Sequence, residues 1–243
     1  MTAFHVTAQG RRLAHDRLEG QGPGVVFLHG FRSDRGGTKA VDLEAWCRAT
    51  RRAMLRLDLS GHGESEGAVE DFGIADWLED AGDIIDALAP GPQVLVGSSL
   101  GGWLALLLAR ARPDRWAGLV TIAAAPDFTT RMQGEFTEAD RAALAGQGFV
   151  TRPSDCGDDY VFSARLFDQG AANRIFAAPL HLPMPVRFLQ GTADADVPMA
   201  DALRLLDHAR GPDIRLTLVK DADHRFSGPA ELALIRDSVA AMM

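Results

Sequence analysis

Gly97-Ser98-Ser99-Leu100-Gly101 is a G-x-S-x-G element with the apolar run Val94 to Val96 before it and an amphipathic stretch after it. A strand, a sharp turn and a helix in that order lift the central hydroxyl to the carboxyl edge of a sheet, where the glycines leave room for close backbone contacts. Ser99 is thus a candidate nucleophile, with a plain tight turn as the alternative, and Ser98 is off register. A serine hydroxyl attacks a carbonyl only when a base removes its proton. Of seven histidines, His224 in Asp221-Ala222-Asp223-His224-Arg225 follows the last predicted strand and so reaches the same edge. His5 and His15 belong to an amino-terminal hairpin, His181 to an insertion, and His208 to the end of a helix. An acid must hold the imidazole tautomer. Asp194, a few residues after its strand, fits that role, with Asp196 as nearest rival and Asp127 as a substitute. The order is then nucleophile, acid, base.

Attack would place negative charge on the carbonyl oxygen, which needs prepositioned donors. The backbone N–H of Leu100, at a helix start, is one. Leu28-His29-Gly30-Phe31 ends another strand and offers the N–H of Phe31 as the second, unless it is merely a strand-ending turn. His29 borders the substrate region as support rather than as a second base. Arg32 either meets an anionic leaving group or faces solvent. Trp103 and Phe128, with Phe31, Phe136 and Phe149, either line an apolar acyl pocket or pack as core.

These groups need a sheet to gather them. Residues 3–8 and 11–18 read as a strand pair turning at Gln9-Gly10, where glycine tolerates positive φ. Val25 to Leu28, Ala53 to Leu57, Val94 to Gly97, Gly118 to Ala123, Val186 to Gln190 and Ile214 to Val219 follow as strands. Ile74 to Leu88 and the stretch from Leu100 to about Pro113 show helical spacing, and further helices fall near 199–209 and 230–242. Alternating strands and helices predict an α/β fold around a mostly parallel sheet. Residues 127–183 lack that rhythm and are too long for a connecting loop, which predicts a small helical cap after the sixth strand, within one domain spanning 1–243. Thr137 with Ala139 to Leu144 marks one short helix there, and Ala171 to Ala178 a second.

Composition removes other classes. The 243 residues are 47% hydrophobic, which excludes a disordered chain, and the formal charge of -8 disfavours a nucleic-acid partner. Arg51-Arg52 and Arg110, Arg112 and Arg115 read as solvated helix flanks. No apolar run approaches the roughly 18 residues of a membrane span. The opening residues lack a signal-peptide pattern, so the expected compartment is the cytoplasm. Cys47 and Cys156 are too far apart for a ligand cluster or a disulfide scaffold. Asp58-Leu59-Ser60-Gly61-His62-Gly63-Glu64-Ser65 shapes a turn beside the site but matches no phosphate-binding loop. His62, Asp58, Asp194 and Asp196 form no compact metal pattern, and no cofactor is expected.

HGF at 29–31, DLSGHGES at 58–65, GSSLG at 97–101, GTADADVP at 191–198 and DADHR at 221–225 together resemble the α/β-hydrolase superfamily. GTKA at 37–40, the stretch 91–115 and DHR at 223–225 resemble more narrowly its mitochondrial palmitoyl-protein thioesterase branch, also associated with acyl glucuronide hydrolysis. The resemblance implies triad roles for Ser99, Asp194 and His224 and oxyanion-hole roles for Phe31 and Leu100. The expected substrate is a small-molecule ester or thioester, or an acylated protein, split through an acyl-serine intermediate. Alternatives are a short-chain carboxylesterase, a lactonase, a carbon–carbon bond hydrolase, or a binding protein of the same fold with a silent site. Oligomeric state is not legible.

Overall fold

A computed structural model describes residues 2–153 and 159–243; Cys156 lies outside the described residues. The chain runs β1 (Ala3–Val6), β2 (Arg12–Leu18), β3 (Gln21–Leu28), α1 (Thr38–Ala49), β4 (Arg52–Leu57), α2 (Ile74–Leu88), β5 (Gln93–Ser98), α3 (Leu100–Ala111) and β6 (Trp116–Ile122). An excursion from the sheet then forms α4 (Phe128–Gly134), α5 (Glu138–Gln147), β7 (Phe149–Arg152), β8 (Tyr160–Ser163), α6 (Ala164–Ala172) and β9 (Leu180–His181). The chain returns through β10 (Val186–Gly191), α7 (Met199–His208), β11 (Ala209–Arg210), β12 (Ile214–Val219) and α8 (Pro229–Ala240).

Eight strands form one sheet in the order β1-β2-β4-β3-β5-β6-β10-β12. β1, β2 and β4 pair antiparallel, and every pair from β4–β3 onward is parallel. The parallel strands are apolar on both faces because helices cover both. In β3, Val25 and Phe27 face α1 and α8 with Leu43, Cys47, Ile235 and Val239, while Val26 and Leu28 face Trp77, Ile84, Trp103 and Leu104 of α2 and α3. Burial pushes the Cys47 thiol up to about 12, as suits a packing residue.

The early hairpin turns where expected, with Gly10 at φ 81°. Helix α1 was not anticipated, since its sequence has little apolar periodicity and buries only Ala40, Leu43 and Cys47. The excursion departs from its sequence reading: α4 and β9 were not anticipated. It contains an antiparallel β7–β8 hairpin, invisible because each strand is four residues long and only half-buried. The second helix is α6 at Ala164–Ala172, not 171–178; Ser163 caps it by accepting from Leu166 N–H, so it begins where a serine precedes the apolar face. Thr137 caps α5 through a reciprocal exchange with Asp140, as the sequence suggested.

Candidate active site

Ser99 stands between β5 and α3 with φ 53°, ψ −115°, a left-handed conformation forced on a non-glycine residue. Its N–H donates to the Ile122 carbonyl at 2.9 Å, and its own carbonyl accepts from Gly102, Trp103 and Ala125. The glycines on either side are required by proximity. A Cβ at Gly97 would lie 2.2 Å from the Gly101 carbonyl oxygen, and one at Gly101 would lie 2.2 Å from that of Leu28.

His224 Nε2 lies 3.1 Å from Ser99 Oγ, and His224 Nδ1 lies 3.0 and 2.9 Å from the carboxylate oxygens of Asp194. The Asp194 side chain is wholly buried. Burial alone would raise its pKa, but hydrogen bonds from His224 and the Val197 N–H outweigh that and hold it below the usual carboxylate range. Gln190 Nε2 also donates to it at 2.9 Å. Sequence alone does not single out Gln190 for this role; a polar residue at the end of an otherwise largely apolar, buried strand is the signal. An imidazole held this way is fixed in the tautomer whose Nε2 can take a proton from the serine.

The rival acids fall elsewhere. Asp127 accepts from the N–H groups of Ile175 and Phe176 at 2.6 and 3.1 Å, closing the base of the excursion. Asp196 is exposed at the cavity rim. Asp194, Asp196 and His224 each bring one potential ligand atom within 4.8 Å of the others. Both ring nitrogens of His224 are already engaged, so a cation there would displace one of its hydrogen bonds, to Asp194 or to Ser99.

The loop after β3 closes against Ser99: a Cβ at Gly30 would sit 3.3 Å from Ser99 Cβ. Among the described residues neither Phe31 N–H nor Leu100 N–H has an acceptor. His29 is buried, its Nδ1 on the Gly30 carbonyl at 2.7 Å and its Nε2 accepting from Leu59 N–H at 3.1 Å. Burial pushes its pKa down to about 4. With both nitrogens consumed, His29 has none to offer a substrate; it ties the loop after β3 to the one after β4. His62 lies behind it, 4.9 Å between ring centroids, its pKa lowered to about 3 by burial.

A cavity of about 800 Å³ opens over Ser99 and His224. Phe31, Arg32, Pro153 and Tyr160 line it, as do Ser33, Thr38, Lys39, Arg225 and Ser227. Phe31 stacks on Phe162 with ring centroids 5.3 Å apart. Arg32 donates to the Asp159 carbonyl at 2.7 Å and lies 4.0 Å from Glu70, at the exposed rim of the cavity. Trp103 and Phe128 do not line the cavity. They pack edge to face, and Trp103 Nε1 donates to the Asn173 carbonyl at 3.1 Å, which makes both of them core under the excursion. Phe136 packs on Phe167 in the same layer, and Phe149 faces solvent. Their aromatic type could not distinguish a pocket wall from core.

The family model for the alpha/beta hydrolase fold matches residues 23–152. Palmitoyl-protein thioesterase ABHD10, mitochondrial, of Bos taurus is 34% identical over 225 residues, covering 92% of this chain and 74% of that protein. The structure of mouse alpha/beta hydrolase domain-containing protein 10 superposes with a TM-score of 0.92 at 32% identity, covering 100% of this chain and 98% of that one. A crystal structure from Agrobacterium vitis S4 superposes with a TM-score of 0.94 at 37% identity, with the same coverage. The expectation of a cytoplasmic protein is overturned here, because the relatives matched along most of the chain carry mitochondrial names. The chain belongs to the α/β-hydrolase family and is a hydrolase of carboxylic esters or thioesters, similar along nearly its whole length to mitochondrial palmitoyl-protein thioesterases.

Proposed function

We propose that Ser99, His224 and Asp194 hydrolyse the ester or thioester in two steps through an acyl-serine. The observation that carries this reading is the unbroken hydrogen-bond line from Ser99 Oγ through His224 to buried Asp194. His224 takes the Ser99 proton as Oγ bonds to the carbonyl carbon. The tetrahedral oxyanion rests on the Phe31 and Leu100 N–H groups. The carbon–oxygen or carbon–sulfur bond then breaks as His224 returns the proton to the leaving alcohol or thiol. Water, deprotonated by His224, releases the acid and restores the serine.

Residues 127–183 act in this reading as a cap within a single domain, contributing Pro153 and Tyr160 to the cavity. The relatives are named as palmitoyl-protein thioesterases, which makes an S-acylated protein the first substrate to try. A second reading, a short-chain esterase, is favoured by the cavity wall itself. The aromatic residues that would have extended an apolar tunnel, Trp103, Phe128 and Phe136, are packed into the core.

The test is kcat/KM for p-nitrophenyl esters and acyl thioesters of matched chain length, with wild type and Ser99→Ala in parallel. Thioester preference rising with chain length, lost in Ser99→Ala, is expected of a protein thioesterase. Fast turnover of short esters alone selects the second reading, and turnover surviving in Ser99→Ala defeats both.

A further inference from the structure

Arg131 lies in α4, the first helix of the excursion, and its Nη2 donates to the Asp196 carbonyl at 2.8 Å, across 65 positions of sequence. Its Nε is closed off from solvent and stands 3.4 Å from the carboxylate of Asp201, in the first turn of α7. The carbonyl so held belongs to the peptide whose N–H is that of Val197, and this N–H donates to Asp194 Oδ1 at 2.8 Å. A peptide unit is planar and trans, so its C=O and N–H point in opposite directions and fixing one fixes the other. A charged donor on the oxygen also polarises the unit and makes its N–H a better donor. One peptide thus connects a guanidinium of the excursion to the acid, and the line continues from Asp194 to His224 at 2.9 Å and on to Ser99 Oγ at 3.1 Å.

The loop needs such a hold. Thr192, Ala193, Ala195 and Asp196 are exposed, so apolar packing anchors the segment chiefly at Val197. Gln190 Nε2 donates to Asp194 Oδ2 at 2.9 Å and to the Val197 carbonyl at 3.1 Å. Gln190 therefore holds the peptide after Val197, and Arg131 the peptide before it. Burial would raise the Asp194 pKa, and after the bond from His224 it is the Val197 N–H that does most to lower it. A second arginine of the excursion makes the comparison. Arg165 ties α6 to Asp76 of α2, whose other partners are Gly73, Gln169 and Arg11, so it attaches the excursion at a distance from the acid loop.

We propose that Arg131 is a positioning residue of the hydrolytic site: by holding the Asp196–Val197 peptide it keeps an N–H on Asp194 and the carboxylate turned to His224. It acts without lining the cavity, so its effect falls on proton transfer and not on the binding of substrate. The inference rests on the acyl-serine reading above.

The test is turnover of p-nitrophenyl acetate by the full chain, an ester whose small acyl group asks least of the excursion. Wild type is compared with Arg131→Met, Arg165→Met, Asp194→Asn and the double variant Arg131→Met with Asp194→Asn. Arg131→Met should lower kcat about tenfold with KM within about twofold, the order expected when a charge-assisted hydrogen bond is lost at one remove. Arg165→Met should leave kcat on this ester within about twofold, as suits a partly exposed ion pair. In the Asp194→Asn background, Arg131→Met should cost less than about twofold more, because the carboxylate through which Arg131 acts is already gone. A loss of about tenfold that persists in that background overturns the inference, since Arg131 would then act by another route. So does an unchanged kcat in Arg131→Met, whether or not KM rises, and so do equal kcat losses in Arg131→Met and Arg165→Met; each would leave Arg131 a clip for the excursion. Turnover retained in Ser99→Ala would instead defeat the underlying reading.

Discussion

Asp194 and Asp127 follow two adjacent parallel strands, β10 and β6, and each is buried with a carboxylate that accepts two backbone N–H groups. Asp194 takes those of Asp196 and Val197 from its own loop, and so retains capacity for His224 and Gln190. Asp127 spends its two oxygens on Ile175 and Phe176, far along the chain. Similar carboxylates at one edge of one sheet therefore do different work. One feeds a side chain that can move protons, the other fastens the excursion to the body. What separates them is where the donated backbone comes from, because an acid that satisfies itself locally stays available to a distant histidine.

The sharpest way to break that contrast is to remove the charge from each. Asp194→Asn should lower kcat by about 10⁴-fold, since an amide presents the wrong partner to His224 Nδ1. Asp127→Asn should leave kcat within about threefold and instead lower the urea midpoint, because one of two buried N–H groups loses its acceptor. Equal kinetic losses in the two variants would erase the distinction.

The edge itself should be the less forgiving region. Gly101→Ala drives a methyl into the Leu28 carbonyl oxygen, which is backbone and has nowhere to go. Destabilisation of about 3 kcal/mol or more, read by urea denaturation and accompanied by loss of turnover, is expected.

His29 gives the same edge a pH signature. The folded protein keeps it neutral down to about pH 4, while the unfolded chain protonates it near the ordinary value of 6.5. The unfolded state therefore binds more protons between those limits, and stability falls as pH drops through the window and levels off below it. His29 alone should account for on the order of 3 kcal/mol. The difference between wild type and His29→Asn, followed by urea midpoint from pH 7 to 4, isolates it; parallel curves would remove His29 from the account.

The smallest effect belongs to the excursion's outer attachment. Asp76 accepts two hydrogen bonds from Arg165 and one from Gln169, joining α2 to α6. Because Arg165 is half exposed, Arg165→Met should cost only about 1 kcal/mol and raise KM more than it lowers kcat.

Much of this was legible from residues alone. The sheet strands and α2 could be read because apolar runs and helical spacing coincide with burial on both faces. Ser99, Asp194 and His224 could be placed because each lies just beyond a strand, and parallel strands deliver their carboxyl ends to one edge. For Trp103 and Phe128 the residues alone left pocket wall and core open, since an aromatic side chain satisfies both alike, and the structure packs them as core. The β7–β8 hairpin stayed hidden because four-residue strands carry almost no periodic signal. Lys39 lies in the GTKA block that supported the family resemblance, yet its hydrogen bond runs to a carbonyl 186 positions away, a relation no local pattern encodes.

The tie at Asp127 has a consequence for the protein as a scaffold. The excursion leaves the sheet at Asp127 and returns to within hydrogen-bond distance of the same carboxylate at Ile175 and Phe176. Whatever lies between is a detour whose two ends already meet, so its length adds little to the entropy of closing the sheet. The junctions of the excursion are thus fixed by one carboxylate and two amides, while Phe128, Phe136, Leu166 and Phe167 inside it belong to the core that covers Trp103. A segment grafted between those junctions from another protein would have to bring its own apolar cover for Trp103, on the helix that starts at Ser99.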